Sequence, residues 1–97
     1  MEITKFQIKA VSMVTKDGQQ RIDIDYACSA PAHVLLDVYR EEVPVAENIK
    51  LALDSGVGKA VCLLPVQQEC FKALWVLKDR AGNVLTRTRA LWEKPFE

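Results

Sequence analysis

The sequence is poor in the residues that build metal centres and catalytic sites. It holds one histidine, His33, and three cysteines, Cys28, Cys62 and Cys70. No two cysteines form a C-x-x-C pair, so ligand number and spacing speak against a zinc site. The odd cysteine count leaves at least one thiol outside any disulfide. We expect Cys28 and Cys62 to be buried thiols. The alternative is a disulfide between two facing sheets, which requires an oxidising compartment.

The chain also lacks a charge excess and long apolar runs. Thirteen basic residues balance thirteen acidic ones. This argues against a nucleic-acid partner, because such binding needs a positive excess that displaces counterions. No apolar run approaches the roughly 20 residues that cross a bilayer, so no membrane partner is expected. The first residues lack the charged and apolar blocks of a signal peptide. We expect a cytoplasmic protein if Met1 is the natural start, and otherwise a domain excised from a larger protein.

What the sequence does contain is strand patterning, most clearly in a hairpin over residues 71–92. Apolar and polar residues alternate on both sides of residues 79–83, where Gly82 and Asn83 tolerate positive φ. Trp75 shares its parity with Phe71 and Leu77, so we expect it at the centre of the core. The period of two predicts a β-hairpin.

Shorter strand patterns precede the hairpin. In residues 2–14 the apolar parity switches after Ala10, which indicates a bulge, as in a first strand that begins beside one sheet and ends beside the other. Residues 21–28 alternate cleanly, and in residues 33–40 the outward positions Leu35, Asp37 and Tyr39 carry more apolar area than an outer face needs. Turns are predicted at 15–19 and at the Pro-containing segment that follows Cys28. The inward positions of these two runs are Ile22, Ile24, Tyr26, Cys28, Val34, Leu36 and Val38.

The region between residues 43 and 66 is less clear. Residues 43–48 carry Pro44 and predict a short edge strand. Residues 46–54 stay open between strand and helix, because Ala, Glu, Lys and Leu are good helix formers. Residues 55–58 predict a turn and residues 59–66 a strand.

About seven strands with turns every 8–12 residues therefore predict one all-β domain over residues 1–97. The expected architecture is an antiparallel two-sheet sandwich, immunoglobulin-like or fibronectin III-like. Residues 94–97 are expected to be a tail or a link to another domain.

No residue set demands chemistry. His33 has no Ser or Cys nucleophile in a recognisable motif beside it, and we expect it at the surface. Asp23 and Asp25 lie on one strand face, as paired acid–base carboxylates do, but Arg21 adjoins them and a solvated face explains them. We therefore expect no enzyme activity, no cofactor and no bound metal.

The most informative functional signal is that the hairpin has more apolar residues than its core needs. Both of its faces are apolar, whereas a free-standing sandwich needs only one apolar face on each sheet. Such a surplus marks a partner surface, and Arg87 and Arg89 add positive charge to it. The candidate contact residues are Tyr39, Leu74, Val76, Leu85, Arg87, Arg89, Leu91 and Trp92.

The string Leu74-Trp-Val-Leu-Lys-Asp-Arg-Ala-Gly-Asn-Val-Leu85, after Leu63-Leu-Pro-Val66, resembles the immunoglobulin-like domains of multidomain glycoside hydrolases, nearest those of family 2, the β-galactosidase group. The resemblance covers residues 34–92. It implies a non-catalytic accessory module that positions neighbouring domains, with no active-site residue carried over, because the catalytic acids of those enzymes lie in a separate barrel domain.

The function we expect is therefore a structural or interaction module whose partners are neighbouring domains or another protein. Two alternatives stay open. One is a carbohydrate-binding module that uses Tyr39 or Trp92 as a stacking platform. The other is a small self-associating cytoplasmic protein that hides the apolar hairpin face in a homodimer.

Overall fold

The computed structural model describes residues 5–67 and 69–93, which form an all-β sandwich. Its strands are β1 (Phe6–Lys16), β2 (Gln19–Cys28), β3 (Ala32–Arg40), β4 (Val43–Leu53), β5 (Gly56–Pro65), β6 (Phe71–Lys78) and β7 (Val84–Trp92). One sheet has the order β1-β2-β5 and the other β4-β3-β6-β7, and all neighbours are antiparallel. The predicted seven-stranded sandwich is confirmed. The predicted strand start at residue 2 and the tail at 94–97 lie outside the described residues.

Period-two alternation builds the core, as predicted. Trp75 is fully buried at its centre and stacks on Trp92, with ring centroids 5.7 Å apart. The side chains of β2, β3 and β5 that alternate inward meet these rings between the sheets. The remaining core residues are Ile8, Ile22, Ile24, Tyr26, Cys28, Val34, Leu36, Val38, Leu51, Leu53, Ala60, Cys62, Leu64, Ala73 and Leu77.

The first hairpin is shaped by its turn residues. Asp17 and Gly18 both have positive φ, 52° and 77°, which is the conformation of a two-residue turn whose twist matches the strands. The bulge predicted in β1 is present, but the extra residue is Lys9, one position before the predicted break. The expected change of sheet is wrong: β1 pairs with β2 on both sides of the bulge, from Phe6 to Lys16.

The structure resolves the open choice at residues 46–54 in favour of a strand. Strand β4 continues from Val43 to Leu53 because it accommodates two extra residues opposite β3, one of them near Asn48, whose φ is 57°. It is an edge strand, as expected. The predicted turn at 55–58 is shorter than expected, since β5 already begins at Gly56.

No disulfide joins any of the three cysteines, all of which lie in the described part of the chain. Cys28 and Cys62 are buried, as expected. A bridge between facing sheets is wrong as an alternative, because β2 and β5 belong to the same sheet, and Cys62 lies opposite Ile22 rather than Cys28. Burial, and then the charge of Asp23, raise the pKa of the Cys62 thiol to about 11.

Candidate functional site

Six of the eight candidate contact residues lie together on the outer face of the four-stranded sheet, here called the hairpin face. Tyr39, Leu74 and Arg89 are cross-strand neighbours in one row over β3, β6 and β7. Val76 and Arg87 form the next row, and Leu91 lies opposite Lys72 at the end of the sheet. Directly opposed side chains on one face contact each other. The sequence pattern therefore selected a continuous surface.

The other two candidates do not belong to the hairpin face. Trp92 is fully buried and stacks on Phe71 at 5.5 Å as well as on Trp75, so its ring is a core component. Leu85 is the extra residue of a bulge in β7, since Leu77 pairs with Thr86 and Lys78 with Val84. The bulge turns the Leu85 side chain against the core.

Most of the apolar side chains on the hairpin face are covered by adjacent side chains of the same face. Val76 is buried and Leu74 half-buried, whereas Leu91 is 55% exposed. Tyr39 lies directly opposite Leu74, and Asp37 lies directly opposite Val76. The face is therefore a packed, mixed surface rather than an open apolar patch.

A buried carboxylate that the sequence reasoning missed lies in this face. Asp37 lies on the outward side of β3, as predicted, yet it is only 3% exposed. Its Oδ2 lies 2.9 Å from Lys78 Nζ and accepts a hydrogen bond of 3.3 Å from the Tyr39 hydroxyl. Its Oδ1 accepts a 2.8 Å hydrogen bond from the backbone N–H of Asn48. The β4 bulge at Asn48 directs this N–H toward the carboxylate, and no sequence pattern indicated that contact.

These contacts set the protonation of the group. Burial raises the pKa of Asp37, but the Asn48 N–H and the Lys78 ammonium lower it further, so the pKa lies below its ordinary 3.8. The hydrogen bond to Asp37 raises the pKa of Lys78. Burial and the Asp37 charge raise the pKa of the Tyr39 hydroxyl. The carboxylate is therefore ionised and fully engaged, which makes it a structural element of the face and not a free acid.

The strands of the hairpin face carry more cations than anions. Asp37 and Glu47 are its acidic residues. At one end, a groove of about 420 Å³ is lined by His33, Lys50 and Arg80 around apolar Leu35 and Ala52. The cations carried by the strands of this sheet are Arg40, Lys50, Lys72, Lys78, Arg87 and Arg89.

Both ends of the described chain are fastened to β2 or the loop after it. At the entry, Lys5 N donates to Ser29 Oγ at 2.7 Å, and Ser29 N donates to Lys5 O at 3.1 Å. At the exit, the buried side chain of Gln20 donates from Nε2 to Glu93 O at 2.7 Å. Its Oε1 accepts from Trp92 Nε1 at 2.9 Å and from Gln67 N at 3.3 Å. No sequence pattern indicated this role for Gln20. The residue directly follows the predicted turn, and its parity is that of the core.

Among the described strands, β5 in the opposite sheet has the most large, exposed apolar side chains. The sequence pattern did not indicate this feature. Val57, Val61 and Leu63 are 75%, 48% and 60% exposed. They face outward beside the polar side chains of β2, where Asp23 pairs with Arg21 at 3.0 Å and Asp25 lies 3.9 Å from Lys59. Alternation places these three residues on the outer face of β5, but it does not indicate that this face is so apolar.

Comparison with known proteins gives no match: no family model, curated protein or solved structure matches the chain. Among the described residues, no three His, Cys, Asp or Glu side chains are grouped so that they could hold a metal ion. Those residues also form no helix that is long and apolar enough to span a membrane.

Proposed function

We propose that this domain is a non-catalytic structural and interaction module that holds the segments on either side of it at a fixed separation. The observation that carries the proposal is the anchoring of both chain ends at opposite ends of β2. Lys5 lies beside the Cys28 end of that strand and Glu93 beside Gln20. At about 3.3 Å per residue, the two anchors lie roughly 25–30 Å apart.

The hydrogen bonds at these anchors suit a spacer. Both involve backbone atoms of the entering or leaving chain, so they fix the direction of the main chain. At the exit, Trp92 adds a buried ring to the polar contacts, because its indole is stacked in the core one residue before Glu93. The long dimension of the molecule, 49 Å against 25 and 18 Å, agrees with modules joined in series.

The strand order supports an immunoglobulin-like or fibronectin III-like origin for the module. Connections β2–β3, β4–β5 and β5–β6 each cross from one sheet to the other, as in Greek-key sandwiches. That class is used repeatedly as an accessory domain, and the likeness to domains of glycoside hydrolases gives the kind of parent protein we propose. The hairpin face, with Tyr39, Arg87 and Arg89, is the surface we propose for contact with a neighbouring domain or another protein.

A distance measurement between the two anchors tests the spacer. Spin labels are attached to Lys5→Cys and Glu93→Cys in a Cys70→Ser background, where the two remaining thiols are buried. The anchoring bonds use backbone atoms at both labelled positions and are retained. We expect one narrow distribution centred at roughly 30 Å by pulsed double electron–electron resonance.

Gln20→Leu provides the matched comparison, because it removes the bond to Glu93 while Gln19→Leu, at the exposed neighbouring position, does not. Gln20→Leu should broaden the distribution and Gln19→Leu should leave it narrow. A distribution in the parent protein as broad as that of the Gln20 variant would overturn the spacer proposal.

The proposal also states that the domain performs no hydrolysis by itself. Pure protein is incubated with a panel of chromogenic glycosides, and we expect no turnover above the buffer rate. Turnover that disappears on a point substitution within the domain would contradict a non-catalytic role. The point variant also distinguishes this outcome from a co-purified enzyme, because the activity of a contaminant does not change with the substitution.

A second candidate function, binding of an acidic carbohydrate, is favoured by the groove beside Lys50 and Arg80. Its volume lies in the range of small-ligand sites, and its cations surround an apolar floor. Neither aromatic candidate belongs to this groove, because Trp92 is fully buried and Tyr39 lies six residues along β3 from His33, outside the lining. Calorimetric titration with oligogalacturonate tests it: heat that is abolished by Lys50→Gln with Arg80→Gln supports this function, and a flat titration rejects it.

A further inference from the structure

Strand β5 differs from the other sheet edges in the described chain. An unpaired edge invites pairing with another chain, and bulges are one device that prevents it. Strand β1 carries an extra residue at Lys9, and β7 carries one at Leu85. Strand β4 carries two extra residues, near Val45 and Asn48. Strand β5 has none, since it pairs with β2 without a shift from Gly56 to Pro65.

The other protective devices are weak in β5 as well. Its single charged residue is Lys59, which is engaged with Asp25 on its own sheet. Pro65 stands at its last position, where it blocks the end and leaves the preceding nine residues able to pair. The outward side chains are mainly the exposed Val57, Val61 and Leu63.

We propose that β5 pairs antiparallel with β5 of a second copy of this chain, with the two-fold axis at Ala60. In an antiparallel pair, directly opposed residues point to the same face, so a symmetric pairing must be centred on a residue. Centring on Ala60 pairs every residue from Gly56 to Leu64 and joins the two three-stranded sheets into one of six strands. This interface is independent of the spacer proposal and of the hairpin face.

The Ala60 register is the one that suits the side chains. It places Val57 of each copy opposite Leu63 of the other and Lys59 opposite Val61. A register centred on Lys59 would oppose the two lysines directly, which is unfavourable. A register centred on Val61 would place Val57 opposite Pro65, which cannot donate to the ladder.

Charges on the joined face are also complementary. Within one copy, Lys59 lies opposite Asp25 and Val61 lies opposite Asp23. Across the proposed pair, Lys59 of one copy lies opposite Val61 of the other, and the next strand presents Asp23 of that second copy. Each lysine therefore lies between Asp25 of its own copy, one strand spacing of about 5 Å away, and Asp23 of the second copy, two spacings or about 10 Å away.

Sedimentation velocity across a concentration series tests the pairing with the whole chain. We expect a reversible transition from the 10.9 kDa monomer to a dimer. Val61→Lys opposes the introduced lysine to Lys59 of the other copy at two symmetric places. It should weaken dimerisation by about tenfold or more. In the monomer the introduced lysine faces Asp23, so folding is not the reason for the loss.

Two further variants define the register. Lys59→Glu combined with Val61→Lys converts both opposed pairs to opposite charges and should restore the dimer toward the parent affinity. Val14→Lys adds the same charge to the same outer face at the β1 edge and should leave the dimer unchanged. A parent chain that stays monomeric at millimolar concentration overturns the proposal, as does a dimer that ignores Val61→Lys or responds equally to Val14→Lys.

Discussion

Gln20 offers the sharpest test of how the chain exit is held, because one buried side chain makes three hydrogen bonds there. It joins the start of β2 to the segment before β6 and to the end of β7. Replacing it by leucine retains an apolar body of similar size and removes all three bonds. Trp92 Nε1 then becomes a buried donor without an acceptor, whereas Gln67 N and Glu93 O lie nearer the surface and can bond to water.

The expected loss of stability depends on which of the three groups can bond to water instead. A buried donor that loses its partner costs about 1–3 kcal/mol, and rehydration makes the other two losses small. We expect Gln20→Leu to lower the free energy of unfolding by about 2 kcal/mol. For a domain of this size, that corresponds to a melting temperature lower by roughly 8–16 °C.

Urea unfolding followed by circular dichroism measures the change, with Gln19→Leu as the exposed control, expected within about 0.5 kcal/mol of the parent. A double-mutant cycle isolates the indole. In a Trp92→Phe background no ring N–H is left unsatisfied, so Gln20→Leu should cost about 1–2 kcal/mol less there. Equal costs in both backgrounds, or a Gln20 variant as stable as the Gln19 control, would refute this account of the exit.

Three further predictions concern single side chains. Trp75→Ala should cost about 3–5 kcal/mol in urea unfolding, and a near-parental curve would contradict its central core position. Asp37 has its pKa lowered on folding, so its stabilisation is present above pH 3.8 and is lost as pH falls through the lower folded value. Asp37→Asn should therefore flatten the acid limb of the stability profile, and an unchanged limb would contradict this. Gly58→Ala should cost about 1–3 kcal/mol, since a Cβ there lies 2.6 Å from the hydroxyl oxygen of buried Tyr26. Parental stability of that variant would mean that the ring moves freely.

The sandwich and its core were predictable because alternation is a local signal with an exact period. Ile22, Ile24 and Tyr26 point inward because they are spaced two residues apart, whatever the partner strand is. The Asp17–Gly18 turn was equally local, since those residues accept positive φ. Strand pairing and sheet membership are not local, which is why the expected sheet change of β1 was wrong.

The errors about individual side chains have a common physical cause, which is the bulge. One extra residue reverses the facing of all later residues in its strand, and its position depends on the neighbouring strand. Leu85 was assigned to the outer face because the bulge in β7 is invisible in the sequence. Asp37 faces outward as predicted, but its burial could not be predicted, because the bulge that aims the Asn48 N–H at it lies in another strand. Trp92 had core parity, and only its position near the chain end suggested an exposed role.

The same bulges separate the two surfaces of the molecule by what each can do. On the four-stranded sheet they twist both edge strands, and at Asn48 the bulge supplies an N–H to the Asp37–Lys78 pair. The edge strands of that sheet are therefore poorly shaped for pairing with another strand, and its outer face is the surface proposed for contact. The three-stranded sheet differs, because in the described chain its edge strand β5 is regular and unpaired, and its outer face combines two ion pairs with exposed valine and leucine. A face suits a folded neighbour whose side chains meet it, and an edge suits another strand. The two proposed contacts, a neighbour on the face of one sheet and a second copy at the edge of the other, therefore use separate surfaces.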